Sequence, residues 1–444
     1  MNLLYILPEF PPGYGGGIAT VYGQLLPALV DHGHAVTVLL ADLNHCDQPS
    51  YTWKGVRVEP LQSCYHLLAL QDMQVWKHHA FLNNFLPAAW AACLQAGQFD
   101  NPDLVEVTDW GLLFVPWLVQ LRRQPVVVSL HGSCGQVDWH GNPEGRRGEG
   151  QLVRLLEAAI LPLADAVIAN STLNAAFWWQ QCGVRAEVIP PIAVEPALPP
   201  ADQARSERGV VVGRLQNWKG PEGLCEALRL VPQQQVDWIG QDIPWQESPI
   251  STSAHLRQAF PDVVDHQLHL LGTLPVDQVQ ARISGAAFLC IPSLWDVFNV
   301  TALEAIAAGT PVLCSRRAGA AMLLDHGRTS YLFDPQQPKE LADAIRSVQA
   351  LTATERQRIT AQAREHTAQL TNPSQVAGQH QVVYTKAMDG FQSRESASWL
   401  CDALRSGAIT SGSHSLRDQP RSARAVLRRG LRWAQARLRG NSGR

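Results

Sequence analysis

Residues 292–312 read PSLWDVFNVTALEAIAAGTPV, directly after AAFLCI (286–291) and directly before LCS (313–315). The flanks are short continuous apolar runs, as in strands covered on both faces. Between them lie a loop and a helix through NVTALEAIAAG, ended by glycine. Strand, loop, helix and strand in that order form the repeating unit of a parallel sheet.

Working outward, the same alternation fills the chain. LLYIL precedes a helical stretch from about Ile18 to His32, stopped by Gly33. AVTVLL, a helix around Trp76 to Ala96, DLVEVT, PVVVSL, a helix from Gln151, DAVIA, a helix from Leu173 and AEVIP follow. The series breaks at PPIAVEPALPPADQARSERG (190–209), whose five prolines and charges suggest a linker. VVVG, a helix from Pro221, VDWIG, LHLLG and AAFLCIP then start a second series, which ends in helices from Pro338 to about Met388. The expectation is an α/β protein of two Rossmann-like, doubly wound domains facing each other across a cleft. Its parts would be residues 1–195, a linker at 196–208, a second domain at 209–388 and a basic extension at 389–444.

Composition agrees with a soluble globular chain. Of 444 residues, 46% are hydrophobic and 17% charged, enough for a large core without staples. The nine cysteines show neither CxxC nor zinc spacing, which fits a reducing compartment. The start, MNLLYILPEFPP, lacks the parts of a secretory signal, and no apolar run reaches the ~20 residues that span a bilayer. The net charge of −3 hides an asymmetry: residues 386–444 carry twelve Lys/Arg against four Asp/Glu. The remaining acidic body does not suggest a nucleic-acid surface. In the tail, Leu427, Leu431, Ala434 and Leu438 form one apolar stripe among arginines, beside Trp433. That pattern fits a helix lying on an anionic membrane. It equally fits a basic disordered or partner-docking tail. The expected location is the cytoplasm, with the tail able to meet the inner membrane face.

Three constellations can carry chemistry. PPGYGGGIA sits between the first strand and the first helix, where Gly15, Gly16 and Gly17 would let a ligand approach and bare the N–H groups of the helix start. The dinucleotide fingerprint fails at Ile18, and no Lys-Ser/Thr follows to make a P-loop. A simple tight turn is the alternative. GRLQNWKG (213–220) puts Arg214 and Lys219 around a turn after a strand, in a chain with only five lysines. They can clamp a diphosphate, or they can be solvated surface charge. In PSLWDVFNV, Asp296 lies in the loop and Glu304 about one turn into the helix. N–H groups of Asn299, Val300 and Thr301 would mark the helix's positive end, suited to phosphate. Glu304 could accept hydrogen bonds from ribose hydroxyls; otherwise it is a solvated helix residue and Asp296 a loop cap.

The order of these motifs resembles the group 1 (family 4) retaining glycosyltransferases of the GT-B fold. That family carries a stretch of the form P-S-x-x-E-x-F-G-x-x-x-x-E-A-x-x-x-G-x-P-V, and the likeness runs from about Tyr5 to Met388. The resemblance implies that Gly16 and Gly17 face the donor phosphates and acceptor. It implies that Asp109 in VTDW lies near the cleft and that His131 in SLHG points toward the transferred sugar. Arg214 and Lys219 would grip the diphosphate, Asp296 would lie by the donor sugar, and Phe298 to Thr301 with Glu304 would line the nucleotide side. It further implies transfer from a nucleotide-diphosphate sugar to a hydroxyl acceptor (a glycan or a lipid-linked sugar), with retention, by front-face attack. No D-x-D motif is present, so neither a metal nor a further cofactor is expected. Three positions depart from the family pattern: Asp296 replaces a glutamate, Asn299 a glycine, and Met322 the glutamate of a later G-G-x-P-E loop. A GT-B-like epimerase or phosphorylase and a non-catalytic sugar-nucleotide-binding protein are the alternatives.

Overall fold

The computed structural model describes residues 1–12, 15–120, 122–141, 149–193, 206–246, 248–392 and 398–406. Eight strands build the first sheet: β1 (Asn2–Leu7), β2 (Ala35–Leu40), β3 (Tyr51–Trp53), β4 (Val56–Pro60), β5 (Leu104–Thr108), β6 (Val126–Leu130), β7 (Ala166–Ala169) and β8 (Glu187–Val188). Six build the second: β9 (Gly209–Val212), β10 (Val236–Ile239), β11 (Leu268–Gly272), β12 (Leu289–Ile291), β13 (Val312–Ser315) and β14 (Tyr331–Phe333). Their orders are β3-β4-β2-β1-β5-β6-β7-β8 and β11-β10-β9-β12-β13-β14. Every pairing is parallel except β3 with β4.

The apolar runs are strands because both of their faces are covered. Leu4, Ile6, Val105, Val107, Val126 and Val128 pack on one side of the first sheet. Leu3, Tyr5, Leu7, Leu104 and Val127 pack on the other. That alternation is the period of two expected of a pleated strand. The order in which successive strands are laid down reverses between β1 and β5 in the first sheet and between β9 and β12 in the second. In such sheets ligands bind outside the carboxyl ends of the strands at these reversal points. The glycine loop follows β1, the Arg214–Lys219 loop follows β9, and the Asp296 loop follows β12.

Three expectations need correction. The helix placed at Trp76 to Ala96 starts at Ala80, behind a separate helix at Ser63–Asp72, and the β3–β4 hairpin was not anticipated. Short polar strands like YTW carry too little periodicity to stand out. The second domain does not run to residue 388. Helix Pro373–Gly390 crosses back, and its Val376, Ala377, Val383, Tyr384 and Ala387 join the first domain's core. Full burial of each large apolar side chain is worth ~1.5–3 kcal/mol, so the crossing is firmly held. Helix Ser398–Ser406 also docks there, with Leu404 buried and its carbonyl accepting from Trp76 Nε1 at 2.7 Å. Most of the proposed linker, and the basic segment from 419 to 444, lie outside the described residues. Among the described residues no helix is long and apolar enough to cross a membrane.

Candidate active site

On the second domain, two sequence motifs interlock. Residues Asn217–Lys219 form a 3-10 turn closed by Gly220 at φ 74°. A Cβ on Gly220 would lie 2.0 Å from the Pro292 carbonyl oxygen, so only glycine fits. Leu294 N–H donates to the Trp218 carbonyl at 2.9 Å, fastening the β12 loop to the β9 loop. Lys219 Nζ then reaches Asp296 Oδ2 at 2.6 Å while resting 4.4 Å from the centroid of the Trp218 ring. The same carboxylate oxygen accepts from Asn299 Nδ2 at 2.9 Å and Ser293 Oγ at 3.3 Å. Asp296 itself is buried, its backbone bonded to Arg317 O and Gly319 N. The shorter side chain thus turns inward to Lys219. Arg214 is exposed and has no partner among the described residues.

Asn299 takes the left-handed conformation, φ 73°. Asparagine tolerates that region better than most residues, which explains how it stands in a glycine position. Its Oδ1 accepts from Thr301 Oγ1 at the start of helix Thr301–Ala307. The N–H groups of Asn299, Val300 and Thr301 meet no acceptor among the described residues. Glu304 is half-buried, has no hydrogen-bond partner among the described residues, and its carboxyl is pushed up by burial. A correction concerns Phe298, whose side chain is core, packed among Leu289, Ala302 and Leu303; only its carbonyl is used, accepting from Ala320 N–H. Met322 packs at the edge of that same core, so the glutamate's place in the later loop is apolar.

The first domain supplies a differently made wall. Gly15 is required by packing, since a Cβ there would sit 2.0 Å from Ala19 Cβ. Gly16 and Gly17 are exposed at the start of helix Gly17–Asp31. That start is not bare as expected: Glu9 Oε1 already accepts from Ala19 N–H at 3.0 Å. Asp109 is fully buried and cannot meet a ligand, a further correction. Its oxygens accept from His131 N–H at 2.7 Å and Gly132 N–H at 3.3 Å. It shapes the His131 loop from behind, and burial pushes its carboxyl up to about 7 despite those N–H groups. His131 directly follows β6, half-buried, with Nδ1 3.1 Å from the Asn170 amide nitrogen and Nε2 3.2 Å from Tyr22 Oη. Burial lowers its pKa to about 3, so the ring is neutral.

The two walls face each other. A Cβ on Gly132 would lie 3.0 Å from Val297 Cγ2 of the second domain. Ser171 Oγ donates to the Val297 carbonyl at 2.5 Å. His140 stacks on Trp295, centroids 4.1 Å apart and planes within 8°. The His131 loop is thereby held opposite the loop that carries Asp296 and Asn299. Tyr22, Asn170, Ser171, Glu9 and Trp295 had no sequence signature, because each acts through a partner distant in the chain.

Two parallel α/β domains that oppose their carboxyl edges across such a cleft define the GT-B class. Residues 16–191 match the model for the glycosyl transferase 4-like domain, and residues 207–350 match that for glycosyl transferases group 1. The chain belongs to the group 1 glycosyltransferases. It is 28% identical over 286 residues to a D-inositol 3-phosphate glycosyltransferase of Corynebacterium jeikeium, covering 59% of this chain and 67% of that one. It spans only 57% and 56% of two further relatives of that name, from Pseudarthrobacter chlorophenolicus and Corynebacterium kroppenstedtii. In fold it is similar to a sucrose-phosphate synthase from Thermosynechococcus elongatus, with TM-score 0.69 and 22% identity over 88% of this chain and 100% of that one. It is also similar to Anabaena HepE solved with UDP and glucose, with TM-score 0.61 and 18% identity over 87% and 100% of the two chains.

Proposed function

We propose that this chain moves a sugar from a nucleotide-diphosphate sugar to a hydroxyl acceptor, with retention and without a metal. One observation carries the reading. Loops 77 residues apart in sequence are knit together at Lys219 and Asp296. Around that knot stand Arg214 and three N–H groups that meet no partner among the described residues, with a half-buried Glu304. That set matches a ribose diphosphate: a carboxylate for ribose hydroxyls, then N–H donors and two cations for the phosphates. A uridine nucleotide is the first donor to try, since HepE was solved with UDP.

The chemistry follows from where charge develops. As the bond between the anomeric carbon and the phosphate oxygen breaks, negative charge grows on the diphosphate. Arg214, Lys219 and the N–H groups at 299–301 would stabilise it without reorganising. The acceptor oxygen bonds to the same face of the anomeric carbon, and its proton passes to the departing phosphate oxygen. Two features support this scheme over a covalent intermediate. Asp296 Oδ2 is already occupied by three donors, and both ring nitrogens of His131 have protein partners. His131 thus offers no free ring nitrogen as a base, and Asp296 is tied to Lys219 rather than left as a free carboxylate.

The test is incubation with UDP-sugars and a panel of hydroxyl acceptors, read by mass spectrometry and by the anomeric proton coupling of the product. Retained linkage, undiminished by EDTA, is expected. An inverted product or strict magnesium dependence would refute the corresponding part. Donor epimerised without any acceptor would replace transfer by the epimerase alternative.

A further inference from the structure

Behind His131 lies a polar cluster that the transfer scheme does not use. Glu106, in β5, is fully buried on the face it shares with Leu104. Its Oε1 accepts from Tyr22 Oη at 2.9 Å and from Ser129 Oγ at 2.7 Å, and its Oε2 from Tyr384 Oη at 2.6 Å. Tyr384 Oη lies 2.6 Å from Tyr5 Oη and 3.0 Å from His380 Nδ1, on the crossover helix. Burial pushes the Glu106 carboxyl up and these hydroxyls pull it down. A carboxylate held by hydroxyls alone in a strand core is costly to bury, so its geometry is informative.

The proton count fixes a direction. A tyrosine has one proton to donate, and Tyr22 gives it to Glu106. Toward His131, Tyr22 can then act only as an acceptor. The neutral ring must therefore carry its proton on Nε2, pointing at Tyr22. Nδ1 is left as an acceptor, the role it needs opposite the Asn170 amide nitrogen. Reversing the Tyr22 hydroxyl would reverse the ring's tautomer and with it every polar contact His131 offers.

We propose that Glu106, acting through Tyr22, is a positioning residue that sets the tautomer and orientation of His131 for glycosyl transfer. The proposal rests on the function given above, in which His131 stands on the cleft wall. It makes the strand carboxylate, one residue removed from any cleft contact, part of how the wall is prepared.

The experiment uses the full chain with 15N-labelled histidine, with His131 assigned by comparison with His131→Asn. Long-range 1H–15N correlation should show the wild-type ring as a single Nε2–H tautomer. Tyr22→Phe and Glu106→Gln should each give mixed or Nδ1–H tautomers. Each should lower kcat roughly tenfold while leaving donor KM within about twofold, the lower end of what a metal-ligating histidine loses with its outer partner. Tyr5→Phe removes a buried hydroxyl of the same cluster that touches neither Glu106 nor His131. It should lose comparable stability but keep the tautomer and kcat. An unchanged tautomer in Tyr22→Phe overturns the proposal, and so does an equal change in Tyr5→Phe. Were the wild-type chain to transfer no sugar, the proposed function would fall while the tautomer spectra still decided this inference.

Discussion

The two walls of the cleft are built on opposite principles. On the first domain, the polar groups in and just beyond the strands answer one another: Asp109 with two N–H groups, His131 with Tyr22 and Asn170, Glu106 with three hydroxyls. On the second, Arg214, Glu304 and the N–H groups at 299–301 have no partner among the described residues. Satisfied groups keep a shape; unsatisfied ones wait for a ligand. The second wall should therefore respond to substitution mainly in binding and turnover. The first should respond mainly in stability and in the geometry it imposes.

The sharpest challenge to that contrast is Lys219, which belongs to both kinds, since Asp296 already pairs with it. Lys219→Ala should lower kcat by about 10², as expected when a donor to developing charge is lost. It should also cost roughly 2–3 kcal/mol of stability, because a buried Asp296 loses its cation. Pairing Lys219→Met with Asp296→Asn separates the two effects. Chemical denaturation should show most of the stability restored while turnover stays low. Turnover recovered along with stability would mean that the lysine only holds the loop.

That double character was not legible beforehand. The strand–helix alternation exposed both sheets, because buried parallel strands are apolar throughout and glycine or proline marks their ends. The motif spacing exposed Lys219, Asp296 and Glu304 as candidates. It could not show that Asp296 turns toward Lys219, since a side chain's direction depends on which loop lies beside it. The crossover helix was hidden for a related reason: an amphipathic helix shows that it packs, not on which domain. Glu106 did leave a trace. A glutamate in the middle of DLVEVT contradicts an otherwise apolar strand, and such a contradiction calls for buried partners.

Stability against pH probes the first wall directly. Asp109 titrates near 7 in the fold against its ordinary 3.8. Between those values the folded chain holds a proton that the unfolded chain has released. Stability from this group is therefore complete below pH 4 and is lost as pH rises toward 7. His131 and His380, both lowered to about 3 by burial, act in the opposite sense below pH 6.5, so the raw profile mixes the two. The difference between wild type and Asp109→Asn isolates the carboxyl. Urea denaturation should find wild type losing ~2 kcal/mol relative to the variant from pH 4 to pH 7, about half the span that the shift allows. A constant difference across that range would mean that the carboxyl is not held in its acid form, and the picture of a self-contained first wall would weaken.

The smallest expected effect tests how the second wall keeps its N–H groups open. Asn299 serves in two ways, by adopting φ 73° and by donating to Asp296 Oδ2. Asn299→Gly keeps the first and loses the second. Glycine relieves the left-handed cost but adds chain entropy on unfolding, so those terms nearly cancel. What remains is one hydrogen bond to a charged acceptor that still has Lys219 and Ser293, worth about 1 kcal/mol. Asn299→Ala loses the same bond and places a Cβ in the left-handed region, adding about 1 kcal/mol more. Thermal or urea unfolding should therefore rank the chains as wild type, then glycine, then alanine. Donor binding should follow the same order, since the 299–301 backbone is what both substitutions disturb. Equal losses for glycine and alanine would show that the conformation carries no weight here, and that the side-chain bond to Asp296 alone holds the turn.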